Sequence, residues 1–91
     1  YKKYQQETFF IVTNHGEDVY QAISKATNHG ATILDGEGPY EHTERQVVYS
    51  VVSSAENKKV RKAVKEADPN AFINVVKTER LFGHFYYKPN D

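Results

Sequence analysis

Two short apolar stripes recur in this chain at one fixed offset. Val19, Ala22, Ile23 and Ala26 fall at i, i+3, i+4 and i+7, and Val60, Ala63, Val64 and Ala67 repeat the pattern. From 19 to 60, 22 to 63, 23 to 64 and 26 to 67, the step is 41 positions each time. That spacing puts each set on one side of an α-helix. A one-sided helix must bury its apolar stripe against another element. β-forming runs lie before and after each helix, so the repeated unit is β-α-β. Two units in tandem give the ferredoxin-like plan β-α-β-β-α-β, an α+β fold with a four-stranded antiparallel sheet and both helices on one face.

Local signals place the elements. Phe9-Phe10-Ile11-Val12 predicts a first strand over Glu7–Thr13, and Asn14-His15-Gly16 a turn. A helix follows over Glu17–His29, with Glu17 and Asp18 in its first turn, where acids suit the helix dipole. Gly30 is expected as its left-handed terminator. Ala31–Leu34 reads as a short second strand, and 35–44 as a loop rich in turn formers. Arg45–Ser53 is a Val- and Tyr-rich third strand. Ser53 and Glu56 have capping-box spacing at the start of the second helix. Asp68-Pro69 ends that helix, because the residue before Pro avoids the α region. Ala71–Thr78 is the fourth strand, 79–85 a connection, and 86–91 a tail. One domain spans 1–91, with its core at about 7–85.

Composition removes several classes of function. The 91 residues hold no Cys and no Trp, so disulfide scaffolds, zinc ribbons and thiol nucleophiles are excluded. Twelve Lys/Arg balance twelve Asp/Glu, which argues against a broad grip on nucleic acid. No apolar run approaches the roughly 18–20 residues of a membrane span. The chain begins at Tyr1 and contains no Met, so it is expected to be a processed chain or a piece of a longer one. Seven Tyr and five Phe supply the burial that a domain this small needs.

Strands one and three are apolar at both parities. Phe9 and Ile11 alternate with Phe10 and Val12, and Val47, Tyr49 and Val51 with Val48 and Val52. A solvated sheet face should instead alternate with polar residues. The second face is therefore expected to be covered by another copy, by residues 81–87, or by a partner.

Candidate chemistry centres on the segment between strands two and three. Gly36 and Gly38 permit close backbone approach and positive φ. Tyr40 offers a stacking face, and Arg45 a forked donor for phosphate or carboxylate. Against this stands a plain hairpin whose glycines serve turn geometry, since no Walker lysine or strand-into-helix dinucleotide motif is present. His15, His29, His42 and His84 form no close metal-ligand pairs, and no metal site is expected. The carboxylates Asp35, Glu37, Glu41 and Glu44 cluster without a distinguishable acid and base, and no catalytic residues are expected. Lys58, Lys59, Arg61, Lys62 and Lys65 crowd the second helix. Their plain reading is a solvated face, the sharper one an acidic membrane surface or nucleic acid.

A run of motifs resembles a known family. Gly30-Ala31-Thr32-Ile33-Leu34-Asp35-Gly36-Glu37-Gly38-x-Tyr40, then Glu44-Arg45-x-Val47, Val51-Val52-Ser53 and Asp68-Pro69-Asn70-Ala71-Phe72-Ile73 are similar to the C-terminal soluble domain of YitT-type bacterial membrane proteins. The resemblance covers about residues 7–85. It implies a parent chain with several membrane spans, this domain on the cytoplasmic side, and a fold like that of the trimeric, effector-binding PII signalling proteins. It implies no catalytic role. Three departures stand out: Pro39 where Gly is common, Glu41-His42 in place of Thr-Gly, and Leu81-Phe82-Gly83-His84-Phe85 in place of Leu-Gly-Glu-Gly-Phe.

The expectation is a non-catalytic regulatory domain that senses a small effector, self-associates, or both. It forms a homo-oligomer, a trimer by the PII likeness, without a cofactor. A small anionic or nucleotide effector would be held by Gly36, Gly38, Tyr40 and Arg45, with Gly83 and Phe85 as a second wall. The alternatives are an assembly module without ligand and, more weakly, a nucleic-acid-binding module.

Overall fold

The computed structural model describes residues 5–38 and 44–83. Its elements are β1 (Gln6–Thr13), α1 (Gly16–Ala26), β2 (Thr32–Glu37), β3 (Glu44–Ser53), a 3-10 turn (Ser54–Glu56), α2 (Asn57–Ala67) and β4 (Phe72–Thr78). The strands form one antiparallel sheet in the order β2-β3-β1-β4. This is the ferredoxin-like arrangement expected from the repeated stripes.

Register decides which face each side chain takes, because strand side chains alternate. Ile11 lies opposite Val48 and Ile73, and Val48 opposite Ile33, which places all four on one face. Phe9, Ile11, Val48 and Val52 are fully buried there, together with Val19 and Ile23 of α1 and Val60 and Val64 of α2. The larger residue of each stripe therefore forms the core. Ala22, Ala26, Ala63 and Ala67 are half-buried along its margins.

Two boundaries differ from the sequence expectation. α1 stops at Ala26, not His29, and Gly30 does not take positive φ. Thr27 ends the helix in extended geometry. Its hydroxyl donates to the Ile23 carbonyl at 3.0 Å and accepts the His29 N–H at 3.1 Å. A Thr side chain that serves the backbone in this way competes with continued helix. The second difference is that β2 runs on through Asp35, Gly36 and Glu37, which pair with Gln46, Arg45 and Glu44. Turn-forming composition yields here to the ladder offered by β3, as strand propensity generally yields to context.

The other strand ends lie within one residue of expectation, while α2 starts at Asn57 and not directly after Ser53. A capping box joins Ser53 and Glu56, whose Oε1 accepts the Ser53 N–H at 3.1 Å. It caps a single 3-10 turn that leads into α2. That helix ends at Ala67, and Asp68 takes an extended conformation before Pro69.

Candidate functional site

The hairpin end of the sheet forms a polar groove of about 430 Å³, lined among the described residues by Asn14, Asp35, Gly36, Glu44, Arg45 and Gln46. Gly36 and Arg45 are in register on adjacent strands, so two of the expected site residues do meet. Gly36, however, sits inside β2 without positive φ. Gly38 is buried just past β2 and is not among the groove's lining residues. Gly83 adopts φ 103°, a conformation that suits glycine, beyond β4. Tyr40 and Phe85 lie outside the described residues. The described lining carries Asp35 and Glu44 against Arg45 as its one cation, a balance that does not favour an anion. Among the described residues, no group of three or more His, Asp or Glu is placed to hold a metal.

Gln46 was not singled out from sequence, yet it organises this end. Its Oε1 accepts the Gly16 N–H at the start of α1 at 2.8 Å, and its Nε2 reaches Asp35 at 3.5 Å. His15, the N-cap residue, contributes no side-chain cap, so β3 caps this helix from across the fold. A Cβ on Gly16 would run into the Gln46 amide. Gly16→Ala should therefore displace Gln46 and lower stability by about 1 kcal/mol. In a Gln46→Ala background that loss should largely vanish, which a double-mutant cycle by urea titration would read.

Two further polar pairs are buried or half-buried. Asp68 is 5% exposed. Its Oδ2 accepts the Thr13 hydroxyl at 2.5 Å and its Oδ1 the Asn70 N–H at 3.0 Å. The Thr13 hydrogen bond, the Asn70 N–H, and the charges of His15 and Lys65 hold the Asp68 carboxyl below its ordinary value, outweighing the upward push of burial. His29 lies 3.0 Å from Glu56 through its Nε2 and is 2% exposed. Both pairs tie a connection to a distant element. Neither opens into the groove.

The largest unexplained feature is the sheet face away from the helices. Leu34, Val47, Val12 and Phe72 form one row across all four strands, and Tyr49 and Phe10 occupy the next. The two rings sit 5.5 Å apart between centroids, tilted by 51°, a favourable aromatic geometry. Phe72 is 67% exposed and Leu34 51%. Leu81 and Phe82 also remain exposed. Arg45, at the hairpin end, is the one charged residue among the strand positions of this face.

Comparison with known proteins places this geometry. The family model described as "Uncharacterized protein conserved in bacteria (DUF2179)" matches residues 29–83. The chain belongs to this family. A solved DUF2179 protein from Eubacterium ventriosum is 32% identical, with TM-score 0.65 over 79% of this chain and 99% of that one. The UPF0750 membrane protein YitT of Bacillus subtilis is 30% identical over 83 residues, which cover 91% of this chain and 30% of YitT. An uncharacterized protein of Bacillus sp. PS3 is 33% identical over 78 residues, 86% of this chain and 52% of that protein. This DUF2179 domain thus spans between about a third and a half of these relatives. No helix among its described residues is long and apolar enough to cross a membrane.

Proposed function

We propose that this DUF2179 domain is a non-catalytic regulatory module of a bacterial membrane protein, on the cytoplasmic side, and that it works by self-association through its open sheet face. The observation that carries the proposal is the apolar row Leu34, Val47, Val12 and Phe72, with its two ends exposed and its two middle residues half-buried. At about 4.8 Å between strands and about 3.3 Å per residue, the face measures on the order of 500 Å². Patches of that size on a monomer commonly mark interaction sites. The apolar rows carry no charge, so two copies meet there without like-charge repulsion, and Arg45 at the hairpin end is the one charge among the strand positions of the face. The second part of the reading, an effector at the hairpin base, is supported by the groove and by the Gly36–Arg45 pairing. The acidic lining makes it the weaker part for an anion.

Light scattering on the 91-residue chain tests this. A concentration-dependent oligomer is expected. Phe72→Lys or Leu34→Lys should weaken it at least tenfold, because each removes an apolar anchor worth about 1.5–3 kcal/mol when buried. Both positions are exposed in the single chain, so thermal melting of the variants should change little. A monomer at all concentrations would defeat the reading. An oligomer indifferent to both variants would place its interface elsewhere.

A further inference from the structure

We infer that the solvent-facing side of α2 is a docking surface for an anionic lipid bilayer. This rests on the reading above that the domain is part of a membrane protein, and adds to it a contact with the membrane surface. Val60 and Val64 anchor α2 in the core. Opposite them, Lys58, Arg61, Lys62 and Lys65 fall at i, i+3, i+4 and i+7, a second stripe that mirrors the apolar one and contains only cations. All four residues are exposed, and Lys59 flanks them. The helix holds one acid, Glu66, which follows Lys62 by four residues at the C-terminal end of this stripe. Five of the chain's twelve Lys/Arg thus sit within eleven residues, in a chain whose net charge is zero.

A solvated helix face usually mixes signs. α1 does so: Glu17, Asp18, Gln21 and Lys25 share its exposed positions, and Gln21 bonds Glu17. In α2, Lys58 and Lys62, and likewise Arg61 and Lys65, are like-charge pairs at i, i+4, which destabilise a helix. Glu66 follows Lys62 by four residues and the Asp68 charge acts on Lys65, but among the described residues no close ion pair involves any of the four. Arg61 donates to Asn57 within the helix, and Lys65 donates to the Ala71 carbonyl. Lys58 and Lys62 remain in water. This repulsion is relieved where external negative charge is dense.

The stripe runs about 10 Å, seven residues at about 1.5 Å each. That short footprint suits a surface already held close. Attraction to an anionic leaflet fades within about 8 Å at physiological salt, and a membrane-embedded parent keeps the domain within reach. Nucleic acid fits less well, because the acids Asp35, Glu37 and Glu44 occupy the hairpin end and the stripe has no aromatic residue for stacking.

The test uses the 91-residue chain and sedimentation with vesicles of phosphatidylcholine, with or without phosphatidylglycerol. Binding is expected only with phosphatidylglycerol, at on the order of millimolar lipid, and it should fade as salt rises. The double variant Lys58→Gln, Lys62→Gln should bind roughly 30-fold more weakly, from about fivefold per Lys near an anionic surface. The charge-matched variant Lys77→Gln, Arg80→Gln, with both residues exposed elsewhere, should bind like the unaltered chain. Melting curves establish that each variant is folded. No vesicle binding, or equal loss in both variants, would overturn the inference. So would retention of RNA at physiological salt without vesicle binding. Light scattering of the same samples separates the two readings. An oligomer that ignores vesicles defeats the membrane contact alone, and a monomer that binds them defeats self-association alone. If the α2 variant changes the oligomer and not vesicle binding, the stripe is a contact between copies, and the inference fails.

Discussion

Phe9→Ala should bring the chain close to its unfolding midpoint at room temperature, while Phe10→Ala, one position along, should cost the single-chain fold less than half as much, about 1–2 kcal/mol from its partial burial and its pairing with Tyr49. Phe9 is fully buried on the helix side of β1, and Phe10 is 37% exposed on the opposite side. β1 is an inner strand, bonded to β3 and β4 together, so a cavity at Phe9 has neighbours on every side and little freedom to collapse. Such a truncation costs about 3–5 kcal/mol. A domain of this size has roughly 5–14 kcal/mol of total stability at about 0.05–0.15 kcal/mol per residue, and small domains sit near the lower end. Urea titration followed by circular dichroism reads the difference. The loss from Phe10→Ala should appear in light scattering, through the weakened sheet-face contact. Equal destabilisation at the two positions would refute the assignment of faces.

Asp68→Ala should cost about 3 kcal/mol. It leaves the buried Thr13 hydroxyl and the Asn70 N–H without their acceptor, and hydrogen bonds to a charged group are the costly ones to lose. The same carboxylate sets an acid limit. Its folded-state value lies below the ordinary 3.8. Folding therefore gains from its ionised form at any pH above the unfolded value. That gain disappears as pH falls through the lowered folded value, since below both values the group is protonated in either state. Stability of the unaltered chain should decline in this acid window more steeply than that of Asp68→Ala. Parallel acid titration curves would contradict the account.

The helices, the strands and the capping box were legible because each rests on local periodicity or on a short spacing. The 41-residue recurrence of Val19 at Val60 and Ile23 at Val64 implied the duplicated plan, and register then confirmed that these residues share one core. The double parity of strands one and three likewise pointed to the apolar outer face. What escaped depends on residues far apart in the chain. Gln46 caps α1 from thirty positions away, and Asp68 meets Thr13 across fifty-five. Nothing near Gln46 marks it, whereas Asp68 stood at a helix end for a local reason that hid its longer-range partner. Thr27 pre-empted Gly30 because a side-chain hydroxyl closed the last turn first. Gly36 was read from composition as a loop residue, and the pairing partner that made it strand was visible only in three dimensions. Of the six expected ligand residues, Gly36 and Arg45 meet at one groove, Gly38 and Gly83 do not line it, and Tyr40 and Phe85 fall outside the described residues.

The strand order has a consequence for how the chain is assembled. Every ladder joins the first β-α-β unit to the second: β1 to β3, β1 to β4, and β2 to β3. Neither unit contains a pair of bonded strands of its own. Half a chain emerging from the ribosome therefore has no sheet to form, and the duplicated halves are interlocked rather than stacked. Closing such long-range pairings is slow compared with local hairpins. Folding should then proceed in a single step, and two separately made halves, cut between Gly38 and Glu44, should each be unstructured and recover the fold only when mixed.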